Sequence, residues 1–135
     1  QKRMGKRLID KRLIDKVAAN KSKSFIENDK KYKGIRGVGR LTKAVIKRIQ
    51  GYYGGEIWSN VGHLDAMKKA IWSIWEHRKG IHVNCGNWCH GQNRNKLPDF
   101  VMEIIKPVFE DLSNDHLLKN VYIVEHKMLM KHTMI

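Results

Sequence analysis

Residues 41–53 read Leu41-Thr42-Lys43-Ala44-Val45-Ile46-Lys47-Arg48-Ile49-Gln50-Gly51-Tyr52-Tyr53, and this stretch sets the fold class. Leu41, Val45, Ile46, Ile49, Tyr52 and Tyr53 recur with the period of an α-helix that buries one face. Lys43, Lys47 and Arg48 take the opposite face. Gly51 weakens the pattern, and Gly54-Gly55 predicts its end.

The same period extends on both sides. Ser59 or Asn60 offers a side-chain cap for a helix expected over 61–77, with Leu64, Met67, Ile71, Ile74 and Trp75 on one face. Pro98 suits a helix start. Val101, Ile104, Ile105, Val108 and Leu112 then form a stripe that Pro107 is expected to kink or divide. Ser113-Asn114-Asp115 reads as the cap of a last helix containing Leu117, Leu118 and Val121. Toward the N-terminus, Met4, Leu8, Ile9, Leu13 and Val17 predict a further helix across the tandem repeat Lys6-Arg7-Leu8-Ile9-Asp10, Lys11-Arg12-Leu13-Ile14-Asp15. Residues 20–40 (NKSKSFIENDKKYKGIRGVGR) read as a Lys/Gly-rich loop, and no segment alternates like a half-buried strand. The chain is therefore expected to be all-α: a small irregular domain of about four to five helices with a basic N-terminal helix or arm and a Cys/His loop.

The 135 residues leave room for one modest domain and carry a net charge of +14. Residues 1–50 hold 17 Lys and Arg against 4 Asp and Glu, so nearly all the excess sits in the N-terminal third. Such a block attracts polyanions, most often nucleic acid. The candidates for DNA backbone contact are Lys2, Arg3, Lys6, Arg7, Lys11, Arg12, Lys30, Lys31, Lys33, Arg36 and Arg40. A solvated basic arm and a nuclear import signal are the other uses of such a run. No signal peptide and no apolar run of membrane-spanning length is present, so the sequence predicts a soluble intracellular chain with no membrane partner. Its start at Gln1 and its end at Ile135 predict an internal fragment.

His82-x-x-Cys85-x-x-x-Cys89-His90 supplies thiolate and imidazole ligands of the kind a structural zinc takes. Adjacent Cys89 and His90 rarely reach one ion together, and His77 is the alternative fourth ligand. The competing reading is an ordinary cysteine loop packed under Trp88; a disulfide is not expected in a reducing compartment. Trp58, Trp72 and Trp75 read as core or interface anchors, with Trp72 off the stripe and expected to face a partner. Asp65, Glu76, Glu103 and Glu110 show no pairing for acid–base work, and no catalytic residue is assigned.

Several short motifs carry a resemblance. Gly39-Arg40-Leu41-Thr42, Val45-Ile46 and Gln50-Gly51-Tyr52-Tyr53-Gly54 resemble the Mutator-like transposase domain of animal genomes. Ser59-Asn60, Ala66-Met67-Lys68-Lys69-Ala70-Ile71, and His82, Cys85, Trp88 and Cys89 continue it in order. So do Leu97-Pro98, Ile105-Lys106-Pro107-Val108-Phe109, Asp111-Leu112-Ser113 and Leu117-Leu118, and Gln1-Lys2-Arg3-x-Gly5-x-Arg7-Leu8 is similar to a segment after the family's Cys-x-x-His. The likeness spans 1–121; the Arg78–Ile81 and Cys85–Trp88 stretches are short, and 122–135 does not match.

The resemblance implies an RNase-H-like core whose carboxylates hold Mg or Mn, interrupted by a helical insert between the second and third. This chain resembles that insert, which places the catalytic carboxylates outside it. Implied domains are a basic helix and Lys/Gly-rich loop at 1–40, the helical insert region at 41–121 and a divergent tail at 122–135. Implied partners are DNA and the missing RNase-H-like core, in the nucleus; no oligomeric state is implied. The other readings are a small non-enzymatic nucleic-acid-binding protein derived from a transposon, and a relic without function.

Overall fold

The computed structural model describes residues 6–86, 88–89 and 96–119; Met4, Val121 and the tail 122–135 lie outside them. The order is α1 (Lys6–Ala19), β1 (Ser24–Glu27), β2 (Lys30–Lys33), α2 (Lys43–Ser59), α3 (Leu64–Lys79), α4 (Asp99–Leu112) and a last short turn, α5 (Asp115–Leu117). The helices pack in a closed cycle, α1 on α2, α2 on α3, α3 on α4 and α4 back on α1. The mostly helical expectation holds. Each apolar stripe faces the middle of that cycle, where Ile9, Leu13, Ile49, Tyr53, Ile71, Ile74, Val101, Ile105 and Phe109 are buried. Leu118 adds a lid from beyond α5. Arg12 on α1 reaches Asp111 on α4 at 3.2 Å, tying these two helices together at the surface.

The expected loop at 20–40 is instead a hairpin over part of its length. β1 and β2 pair antiparallel with Phe25 opposite Tyr32 and Glu27 opposite Lys30. Its turn residues, Asn28 and Asp29, have φ of 53° and 64°. Two consecutive positive φ values match the twist of a tight hairpin, and Asn and Asp tolerate them better than most side chains. The partner surface explains the fold. Phe25 stacks on Phe100 of α4 at 4.9 Å, and Tyr32 lies 5.2 Å from the same ring.

Glu27 then finishes the joint. Pro98 precedes α4 and supplies no side-chain cap. The Glu27 carboxylate accepts from the amides of Asp99 (3.1 Å) and Phe100 (3.0 Å) instead. It satisfies two otherwise orphaned donors and places negative charge at the positive helix end. Replacing Glu27 with Ala is expected to cost about 1–2 kcal/mol, the range of a lost N-cap. Urea unfolding reads this directly, and a Glu27→Ala midpoint equal to that of the parent removes the cap from the account.

Three further expectations are corrected. α2 runs through Gly51 and Gly54-Gly55 to Ser59. Ile57 is buried one turn beyond the glycines, and its burial outweighs about 1 kcal/mol of lost propensity per glycine. Thr42 caps the helix start, accepting from the Val45 amide at 3.1 Å. Asn60 ends α2 and does not open α3; its side chain bonds back to the Glu56 carbonyl at 2.8 Å, and α3 starts at Leu64. Pro107 does not divide α4, because it lies exposed between buried Ile105 and Val108 on a helix held along its other face. The expected final cap is present: Asn114 Oδ1 accepts from His116 (2.9 Å) and Leu117 (3.3 Å).

Candidate metal centre and basic surface

α3 delivers its last turn to the Cys/His loop. Gly80 takes a φ of 100°, a left-handed cap that favours glycine. Its amide donates to the His77 carbonyl at 3.1 Å, and that of Ile81 to Glu76 at 2.8 Å. The chain thus doubles back, and His82 faces His77.

Four side chains meet there: His77, His82, Cys85 and Cys89, with their ligand atoms all within 4.8 Å of one another. His82 Nδ1 lies 3.1 Å from His77 Nδ1, 3.2 Å from Cys89 Sγ and 3.6 Å from Cys85 Sγ. His77 Nδ1 lies 3.3 Å from Cys85 Sγ. A tetrahedron with metal–nitrogen bonds of about 2.0–2.1 Å and metal–sulfur bonds of about 2.3 Å has edges of about 3.3–3.8 Å. These four separations fall close to those edges. Hydrogen bonding alone explains them poorly, since a ring nitrogen carries either one proton or one lone pair, and His82 Nδ1 has three such neighbours. Burial first, and then Cys89, push the Cys85 thiol up to about 12. A thiolate here is favoured only with a cation beside it. The four residues form a group able to hold a metal ion and compatible with zinc.

An aromatic wall backs the group. Trp88 stacks on Tyr52 of α2 at 4.4 Å and donates its indole N–H to Glu56 at 2.9 Å. The His77 ring meets Trp88 edge-on at 4.6 Å. Trp88 therefore packs the loop onto α2, as the competing cysteine-loop reading anticipated, while the four ligand atoms converge beside it. Both features of the sequence coexist. Sequence reasoning put His90 in the ligand set; His90 lies outside the described residues, and His77, named as its substitute, completes the group.

The basic candidates scatter into distinct settings. Lys2 and Arg3 lie outside the described residues, and Lys6 and Arg7 open α1. Lys11, Lys30, Lys31, Lys33 and Arg36 are exposed, with Lys30, Lys31 and Lys33 together on β2. Arg12 is engaged by Asp111. Arg40 turns inward, donating to the carbonyls of Lys33 (2.8 Å) and Gly34 (3.1 Å) with its guanidinium over the Tyr32 ring. Lys43, Lys47 and Arg48 are exposed on α2, and Lys43 and Lys47 line one cavity with Arg36. Their signal was their position opposite the apolar stripe. Trp72, expected to face a partner, packs within the chain, 5.8 Å from Trp75 and 6.4 Å from Phe109. Among the described residues no helix is long and apolar enough to cross a membrane.

A family model described as Mutator-like transposase matches residues 1–89. The match takes in α1 to α3, the hairpin and all four members of the Cys/His group, and stops before α4. No curated protein and no solved structure matches the chain.

Proposed function

The chain belongs to the Mutator-like transposase family, and from that membership we propose that it is an accessory helical part of a DNA transposase that grips the DNA backbone. The observation that carries this reading is the placement of charge. Exposed lysines on β2, Arg36, and Lys43, Lys47 and Arg48 on the outer face of α2 all fall within residues 1–50, which hold +13 of the net +14. Cations spread over a hairpin and a helix suit the repeating phosphates of a duplex and need no base contacts. In this proposal residues 41–121 serve as the insert of an RNase-H-like core that carries the strand chemistry with Mg or Mn. The insert works in the nucleus, and zinc on His77, His82, Cys85 and Cys89 acts as a structural clip. That clip fixes the end of α3 against α2 through Trp88 and so holds the helical face rigid.

Backbone binding has a measurable signature. Affinity for a mixed-sequence duplex is expected to fall between about 50 and 200 mM salt, with about 0.9 log unit of slope for each phosphate neutralised. Changing Lys30, Lys31 and Lys33 together to Gln should weaken binding and reduce the slope by roughly 2–3. Fluorescence anisotropy at several salt concentrations makes the measurement. Affinity indifferent to salt, or a triple variant with the parental slope, contradicts the reading.

A further inference from the structure

We propose that the groove between α1 and α2 is a docking site for a short acidic, amphipathic helix of a partner protein. The groove measures about 320 Å³ and is lined by Asp10 and Ile14 from α1, Lys43, Ile46 and Lys47 from α2, and Arg36 from the turn before α2. Its shape follows from two helices lying side by side. Asp10 and Ile14 are one turn apart on α1, and the facing residues of α2 recur at helical steps. Along α2 the groove runs from Lys43 to Gln50, about 10 Å, which seats one or two side chains of a helix laid against it.

The floor is hydrocarbon and the rim is cationic. Ile46 is buried, whereas Ile14 stays 49 % exposed. Its neighbour Leu13 is completely buried and already serves the core, which leaves Ile14 to the groove. Arg36, Lys43 and Lys47 are all exposed. None of them is in an ion pair among the described residues, where the pairs are Arg12–Asp111, Lys68–Asp115 and Lys79–Glu103. An apolar hollow rimmed by such cations suits a ligand that brings hydrocarbon and carboxylates together. Asp10 separates that ligand from nucleic acid. A phosphodiester backbone has no hydrogen-bond donor to give a carboxylate and no apolar side chain for the floor. The first turn of a peptide helix has free amides for Asp10, and its apolar face has side chains for Ile14 and Ile46. A second copy of this chain is a poor occupant, because two molecules at +14 repel each other.

This docking goes beyond DNA binding and does not depend on it. Arg36, Lys43 and Lys47 belong to both surfaces, so an acidic helix and a duplex should exclude each other. The test uses the full 135-residue chain and a labelled synthetic helix of about 15 residues, with two leucines at i and i+4 among glutamates. Anisotropy at about 150 mM salt keeps non-specific attraction screened. Binding should be saturable, and a peptide of equal charge with serine for both leucines should bind at least about fivefold more weakly. Ile14→Gln, a half-exposed position, should weaken the leucine peptide by about fivefold or more. Lys47→Gln should weaken it about threefold, and Lys69→Gln, an exposed change on α3, by less than about twofold. Duplex affinity, where a duplex binds, should stay within about twofold in Ile14→Gln, because phosphate contacts do not use the apolar floor. Equal binding of the serine and leucine peptides, or parental affinity in Ile14→Gln, overturns the docking site and leaves the DNA reading standing. An Ile14→Gln loss as large for the duplex as for the peptide overturns it in favour of nucleic acid. Self-association that Ile14→Gln abolishes overturns it in favour of a second copy. Ile14-dependent peptide binding with no duplex binding sustains the docking site while the DNA reading fails.

Discussion

Cys85→Ser should abolish tight zinc binding, weakening it by at least about 100-fold, the upper end of what even outer-shell lesions cost at metal sites. The parent chain, purified in the presence of zinc, should carry about one ion and show a thermal transition that a strong chelator lowers. Cobalt substituted for zinc should give the intense visible bands of a tetrahedral site with thiolate charge transfer, and Cys89→Ser should lose part of that charge transfer. The ligand set itself is open to a sharper comparison. His77 Nδ1 sits 3.1 Å from His82 Nδ1 and 3.3 Å from Cys85 Sγ, so His77→Ala should behave like the cysteine variants. His90→Ala should change affinity by no more than about twofold, in line with a residue outside the coordination shell. A chain that binds no stoichiometric zinc, or one in which His90 matters and His77 does not, defeats this assignment.

Phe109→Ala should cost about 3–5 kcal/mol, the range for removing a fully buried ring. Phe109 is completely buried on α4, a helix that contributes six buried residues to the core. Domains of this size have total stabilities of about 5–15 kcal/mol, so the loss consumes a large fraction of the whole. The melting temperature should fall by more than about 10 °C, or the cooperative transition should vanish. Differential scanning calorimetry on the parent and the variant decides it. The result bears on more than packing. α4 lies beyond residues 1–89, where the family match ends, yet it closes the cycle of helices by contacting both α1 and α3. An unchanged transition in the variant means that α1 to α3 stand without α4, and the closed cycle is not the stable unit.

Much of this was legible along the chain. The stripe Leu41, Val45, Ile46, Ile49, Tyr53 is buried or half-buried as its period requires, and Val101, Ile105, Val108 and Leu112 repeat the lesson on α4. Where the reading failed, a specific contact had overruled the expected signal. Gly54-Gly55 looked like a stop, but Ile57 had a core to enter. Asn60 looked like a helix opener, but the carbonyl of Glu56 was nearer. The hairpin was missed because its strands are four residues each and rich in lysine, and its turn is Asn-Asp without the usual glycine. Its stability comes from Phe100, which the local sequence does not mention.

The sequence by itself determined the helical class, the side of each helix that is buried, the asymmetry of charge and the kinds of ligand in the Cys/His loop. Those properties follow from residue type and short-range period, which act over a turn or two of chain. Only the tertiary structure decided that Glu27 caps a helix 72 residues away, that His77 completes the ligand group, and that Arg40, Arg78 and Lys96 share one cavity. Each of those depends on how separate helices lie against one another, and that arrangement is set by the sum of many buried contacts with no single local motif to announce it.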